Sequence, residues 1–109
     1  MPFKRYDIYL ADLNPTKGAE ISKVRPVIIV SPDQMNAALE TVVICPLTSQ
    51  LHPRWRTRLQ IRCAGRRAEI VVDQIRAISQ QRLVRKLDAL SEKDSAELRR
   101  LISEMYGNG

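Results

Sequence analysis

The chain carries one histidine, one tryptophan, one phenylalanine and two cysteines among its 109 residues. A single histidine, His52, excludes a histidine-pair acid–base mechanism within one chain, and no His/Cys spacing suggests a metal set. Cys45 and Cys63 are too few for a disulfide framework and lack CxxC spacing; both fall in apolar, strand-like runs and read as reduced, packed thiols of a cytosolic protein. Aromatics make up only 5%, so the core must be built from Ile, Val and Leu. No apolar run approaches the length of a membrane-spanning helix. The start, "MPFKRYDIYLADL", turns polar too early for a signal peptide. With no repeat, low-complexity tract or linker, residues 1–109 read as one domain.

What the chain has in plenty is positive charge and β-type patterning. Net charge is +6, which favours a polyanionic partner, nucleic acid first and an acidic protein second. Strands are expected over 6–13, 24–31, 41–47, 55–63 and 68–78, with a short last strand over 83–90. The segment 14–23, with Asn-Pro and Lys-Gly turn signals, reads as a loop, and 31–39 as a short helical turn. In 55–63 the alternation puts Trp55, Thr57, Leu59, Ile61 and Cys63 on one face and Arg54, Arg56, Arg58, Gln60 and Arg62 on the other. Ser91 with Asp94 three residues on is a capping-box start for a final helix. Leu98, Leu101, Ile102 and Met105 then recur at helical spacing, and Gly107 ends it. The expected fold is a small, strongly bent sheet or barrel with one C-terminal helix packed on it.

Three places break the pattern. Arg25 stands beside Pro26 at the mouth of the doubly apolar run Val27 to Val30, behind a loop carrying Lys17, Gly18 and Glu20. A guanidinium there is either a strand-end charge reaching solvent or a fork matched to two phosphate oxygens. Lys17 and Gly18 add charge and close backbone approach, and Glu20 is either an ion-pair partner or a base held beside a cation. The run "CPLTSQ" ends a strand in two adjacent hydroxyls, Thr48 and Ser49, followed by Gln50; such hydroxyls cap a turn or donate to a phosphoryl oxygen. In "IVVDQIRAI" the strand is interrupted by Asp73, Gln74 and Arg76; a buried Asp73 must be paired, either orienting an Arg or serving the backbone. The arginines at 54, 56, 58, 62, 66 and 67 form a one-sign footprint that a polyanion or acidic partner would cover. Trp55 beside them is expected in the core, base stacking being the alternative.

Taken in order, "DIYLADLNPTKGAEISKVRPVIIVSP", "CPLTSQ" and "VVDQIRAIS" resemble the MazF/PemK family of toxin endoribonucleases, over nearly the whole chain from about Tyr6. The resemblance implies an SH3-like β-barrel with a C-terminal helix, the MazF/PemK/CcdB-like toxin fold, acting as a cytoplasmic homodimer. It implies metal-independent, sequence-specific cleavage of single-stranded RNA with no cofactor, and neutralisation by an acidic antitoxin. By position, Arg25 and Thr48 match the family's catalytic pair and Glu20 a carboxylate near it, while Ser49, Asp73 and Gln74 match residues lining the RNA groove. Lys17, Gly18, Gln50, Arg54, Arg56 and Arg76 complete the expected RNA-binding set. The chain departs from the pattern at Tyr6-Asp7, where the family usually has Gly-Asp. It departs again at Val71, where some members place a second catalytic Arg. Two rival readings share the fold or the charge, a CcdB-like gyrase-binding toxin and an RNA-binding module without chemistry.

Overall fold

The computed structural model describes residues 3–15, 18–19 and 23–107. Among them run seven strands, β1 (Asp7–Asp12), β2 (Val24–Ile29), β3 (Thr41–Thr48), β4 (Arg58–Cys63), β5 (Arg66–Val71), β6 (Arg76–Ser79) and β7 (Leu83–Ala89), with a short helix α1 (Asp33–Ala38) and a final helix α2 (Glu92–Ile102). They form one antiparallel sheet in the order β4-β5-β3-β2-β1-β7, with β6 also paired to β3.

The sheet curls because β3 serves two neighbours along one edge. Thr41 to Ile44 pair with β6, and Leu47 and Thr48 pair with β5. A 3₁₀ turn over Val72–Gln74 carries the chain from β5 to β6 where β3 passes from one partner to the other. The continuous strand expected over 68–78 is therefore two strands at an angle. The β1–β7 pairing also shifts register twice, at Ile8/Tyr9 and Leu10/Ala11, and such bulges bend the ribbon further.

The curl creates two apolar layers, one on each face. Ile28 and Val30 pack with Ile8, Cys45, Leu47 and Ile70, covered by Leu98 and Leu101 of α2. Val27 and Ile29 point the other way, into a second cluster with Ala11, Leu13, Val42, Ile44 and Ile78. Alternate residues of one strand thus both enter core, which is why the run reads as unbroken apolar sequence. At the start of α2 the Ser91 hydroxyl accepts the Asp94 N–H at 3.2 Å, satisfying one orphan donor of the first turn as expected. The helix continues into a wider turn over Ser103–Gly107, where the Tyr106 hydroxyl donates to the Val72 carbonyl at 3.0 Å and ties the C-terminal end to the β5–β6 bend. Among the described residues no helix is long and apolar enough to cross a membrane.

Two corrections come from the β4 region. Residues 53–57 make a turn, with the Trp55 N–H bonded to the His52 carbonyl at 3.0 Å, and β4 begins only at Arg58. The period-2 alternation does not reach Trp55, which is 51% exposed rather than in the core. Arg58, expected on the solvent face, keeps only 11% of its side chain exposed. The β4–β5 hairpin closes over Ala64 and Gly65, both at positive φ (51° and 81°), the conformation a two-residue turn between twisted strands requires.

Candidate functional site

In the β2–β3 pairing Val27 stands opposite Pro46 and Ile28 opposite Cys45. Continued two residues toward the start of β2, that register sets Arg25 opposite Thr48, the last residue of β3. On the other edge of β3, Thr48 pairs with Glu69 of β5. On the other edge of β2, Arg25 pairs with the small, buried Ala11. Residues directly opposite on neighbouring strands put their Cβ atoms about 5 Å apart on one face. An Arg and a Thr that lie 23 positions apart in sequence thus become neighbours on rigid backbone.

A cleft of about 320 Å³ opens over this row, lined by Arg25, Thr48, Ser49, Arg66 and Arg67, with Pro26 and Leu47 as its apolar wall. Thr48 is half-buried, and its hydroxyl oxygen accepts the Gln50 N–H at 3.1 Å. That bond holds the oxygen in place and leaves the hydroxyl hydrogen to point elsewhere, as a donor. Gln50 therefore contributes through its backbone, while Ser49 is exposed at the rim. Arg66 and Arg67 have no carboxylate within ion-pair distance among the described residues, so the cleft is strongly positive. Cys63 lines it too, but burial, and then the nearby Asp88, push its thiol up, so it stays neutral and is a poor nucleophile. Gly18 sits at φ +61°, in the left-handed region where a side chain is strained, and a Cβ there would meet open space. Lys17 and Glu20 lie outside the described residues.

Other expected residues are not brought into this cleft. Arg56 lines a separate groove of about 350 Å³ with Arg58, Glu97, Arg100 and Glu104, against α2. Arg54 is exposed and outside the cleft lining. Arg76 is opposite Ile44, four residues back along β3 from Thr48, which is about 13 Å of strand. Gln74, half-buried, lies with Asp73 in the 3₁₀ turn preceding it. Asp73 corrects an expectation outright. It is not buried, since its side chain is 45% exposed, at 4.0 Å from Arg58 Nε. The turn that breaks the strand swings it outward.

The buried carboxylate beside this cleft is Glu69, which no sequence motif singled out. Its side chain is fully buried; Oε1 accepts from Arg58 Nη1 at 3.1 Å and Oε2 accepts the His52 N–H at 2.6 Å. Glu69 is opposite Gln60 and Arg58 opposite Val71, so the two are same-face diagonal neighbours across β4 and β5. That diagonal was the available signal: an acid inside "AEIVV" facing a row of arginines. The Arg58 guanidinium also lies 4.8 Å from the Trp55 ring centroid, and Trp55 stacks on His52 at 3.9 Å and 8°. Among the described residues no group of three or more His, Cys, Asp or Glu side chains is placed to hold a metal ion.

A family model described as a PemK-like, MazF-like toxin of type II toxin–antitoxin systems matches residues 4–106. The chain belongs to that family. A relative from Staphylococcus saprophyticus named Endoribonuclease MazF is 32% identical over 109 aligned residues, covering 95% of this chain and 91% of its own. The crystal structure of MazF from Deinococcus radiodurans superposes with a TM-score of 0.86 at 19% identity, covering 99% of both chains. A MazE–MazF structure from the same organism does so with a TM-score of 0.83 at 18% identity over 100% of both. At such identities the structures speak for the fold: the curled sheet with a C-terminal helix is that of MazF toxins, as the sequence led one to expect.

Proposed function

We propose that this PemK/MazF-family toxin cuts single-stranded RNA at the Arg25–Thr48 cleft, in a sequence-specific and metal-independent way, using the substrate's own 2′-hydroxyl. The chain is an endoribonuclease by its family and by the named activity of its relative from Staphylococcus saprophyticus. Arg25 and Thr48 line one positive cleft, and that observation, with the β2–β3 register continued toward them, carries the mechanism. The 2′ oxygen attacks phosphorus, the bond to the 5′ oxygen breaks, and the products are a cyclic phosphate and a free 5′-hydroxyl. The proton leaving the 2′-hydroxyl goes to Glu20 or to water; the departing 5′ oxygen takes one from Arg25 or solvent. The Arg25 fork supports the charge that builds on the equatorial oxygens, because a guanidinium presents parallel N–H donors to two of them at once. The Thr48 hydroxyl, fixed by the Gln50 N–H, donates to the same phosphoryl group.

Ser49 and Gln50 at the rim, with Lys17, Gly18, Arg54, Arg56, Asp73, Gln74 and Arg76, are assigned to RNA binding. The spread of the described members of this set over separate regions suits a homodimer with a strand laid along its surface, which we place in the cytoplasm. The net charge of +6 suits neutralisation by an acidic antitoxin, in line with the MazE–MazF assembly of the structural neighbour. The test is to offer the purified protein RNA, the same sequence as DNA, and the same RNA as a duplex. Cutting is expected for single-stranded RNA alone, with Arg25→Lys at least a hundredfold slower because an ammonium cannot make the two-pronged contact. Equal cutting of DNA would remove the 2′-hydroxyl from the mechanism, and no cutting at all would favour a gyrase-binding toxin.

A further inference from the structure

The chain's only tryptophan is half-exposed, although an indole is among the side chains with most to gain from burial. It is nevertheless held in place. Trp55 stacks on His52 at 3.9 Å and 8°, and the Arg58 guanidinium lies 4.8 Å from its ring. Both supporting residues are fastened to one fully buried carboxylate, Glu69, which accepts the His52 N–H at 2.6 Å and Arg58 Nη1 at 3.1 Å. Glu69 is itself the cross-strand partner of Thr48, so the aromatic pair is anchored one strand away from the cleft. Arg54 and Arg56, on either side of Trp55 in sequence, are exposed and have no ion-pair partner among the described residues.

We propose that His52 and Trp55 form a stacking platform for one unpaired base of the substrate, beside the cleavage cleft, with Glu69 and Arg58 as positioning residues. The inference rests on the RNA reading of the Arg25–Thr48 cleft. A flat, pre-stacked aromatic surface amid unpaired positive charge is what a splayed nucleotide requires: a π-face for the base and cations for its phosphates. A base inside a duplex has no free face to offer, so the platform also selects for single strands. It is tolerant of base identity, because every base has a π-face, which leaves sequence choice to other contacts.

Trp55 is its own reporter, since no other indole contributes fluorescence. The probe is a short single-stranded RNA methylated at every 2′ oxygen, which binds without being cut, together with versions in which one base at a time is removed. Saturable quenching by the intact probe is expected. Affinity should drop about 5- to 150-fold in Trp55→Ala, the range for losing one stacked base, and remain near wild type in Trp55→Phe. One abasic position should produce the same drop in the wild type and no further drop in Trp55→Ala. Glu69→Gln should weaken binding of the intact probe while leaving that abasic probe unaffected, which a merely structural role would not do. Wild-type affinity in Trp55→Ala, or no abasic position coupled to it, overturns the platform while leaving RNA cleavage standing. A wild type that neither binds nor cuts RNA overturns both. Quenching by an acidic peptide but not by the RNA probe assigns the surface to a protein partner and overturns the proposal.

Discussion

Replacing Glu69 with alanine should be the most damaging single change in the β4–β5 region. The carboxylate has no exposed surface, and Arg58 retains 11% of its side chain in solvent, so the pair is shielded from screening. Truncation leaves the Arg58 charge without its 3.1 Å partner and the His52 N–H without its acceptor. Breaking a buried pair from one side costs about 3–5 kcal/mol. Asp73 stands 4.0 Å from Arg58 Nε and is half in water, so it can take over part of the compensation, placing the expected loss near about 3 kcal/mol. For a domain of this size that is roughly 12–24 °C of melting temperature and a large part of the ~5–15 kcal/mol that holds such a domain folded. Glu69→Gln keeps an acceptor for the His52 N–H and loses the charge, so about 1.5–3 kcal/mol is expected. The double variant Arg58→Leu/Glu69→Leu removes both partners and should cost less than Glu69→Ala alone. Urea titrations at one fixed protein concentration measure all three, the fixed concentration keeping the mass-action term of any association common to them. A loss below about 1 kcal/mol in Glu69→Ala, or a double variant at least as costly as Glu69→Ala, would refute the reasoning.

Other expectations follow from the same geometry. Burial, and then Asp73, push the Cys45 thiol up from 9.0 to about 12, so the fold keeps a proton that the unfolded chain releases. Its stabilising contribution is whole below pH 9 and is lost between pH 9 and about 12, at up to about 1.4 kcal/mol per pH unit; Cys45→Ala should flatten that alkaline slope in pH-dependent melts. Ser91→Ala removes the hydroxyl that accepts the Asp94 N–H and should cost about 1 kcal/mol in the same urea assay, against no change for a helix that needs no cap. Thr48→Val keeps the shape of the strand end and loses the donor; cleavage should fall by at least about tenfold with an unchanged melting temperature, as one lost hydrogen bond to a charged group implies.

The layered core was legible because it depends on local periodicity. Val27 to Val30 reads as doubly buried, and the two faces do enter two separate clusters. The Ser91–Asp94 start of α2 was legible for the same reason, since a cap is a contact between residues three apart. The break at Val72–Gln74 was not, because it arises from β5 and β6 sharing one edge of β3, a long-range arrangement with no local signature. That break turned Asp73 outward, and the turn at 53–57 brought Trp55 out of the alternation, so two expectations failed at the ends of regular strands. Glu69 went unnoticed because its partner Arg58 is 11 positions away and becomes a diagonal neighbour only once the β4–β5 register is known. Arg25 and Thr48 were named from sequence largely through the family motif. Their meeting at one cleft between β2 and β3 is what folding adds.

The central claim is that Arg25 and Thr48 promote attack by the 2′-hydroxyl. Its most direct test is to incubate the purified protein with a mixed-sequence single-stranded RNA in excess EDTA and to identify the ends of the fragments. Cyclic phosphate and 5′-hydroxyl ends at a recurring short motif, absent with Arg25→Ala, are the predicted result. Fragments bearing 5′-phosphate, or cutting that stops when EDTA is added, would show that water or a metal ion does the work assigned here to the substrate's own hydroxyl.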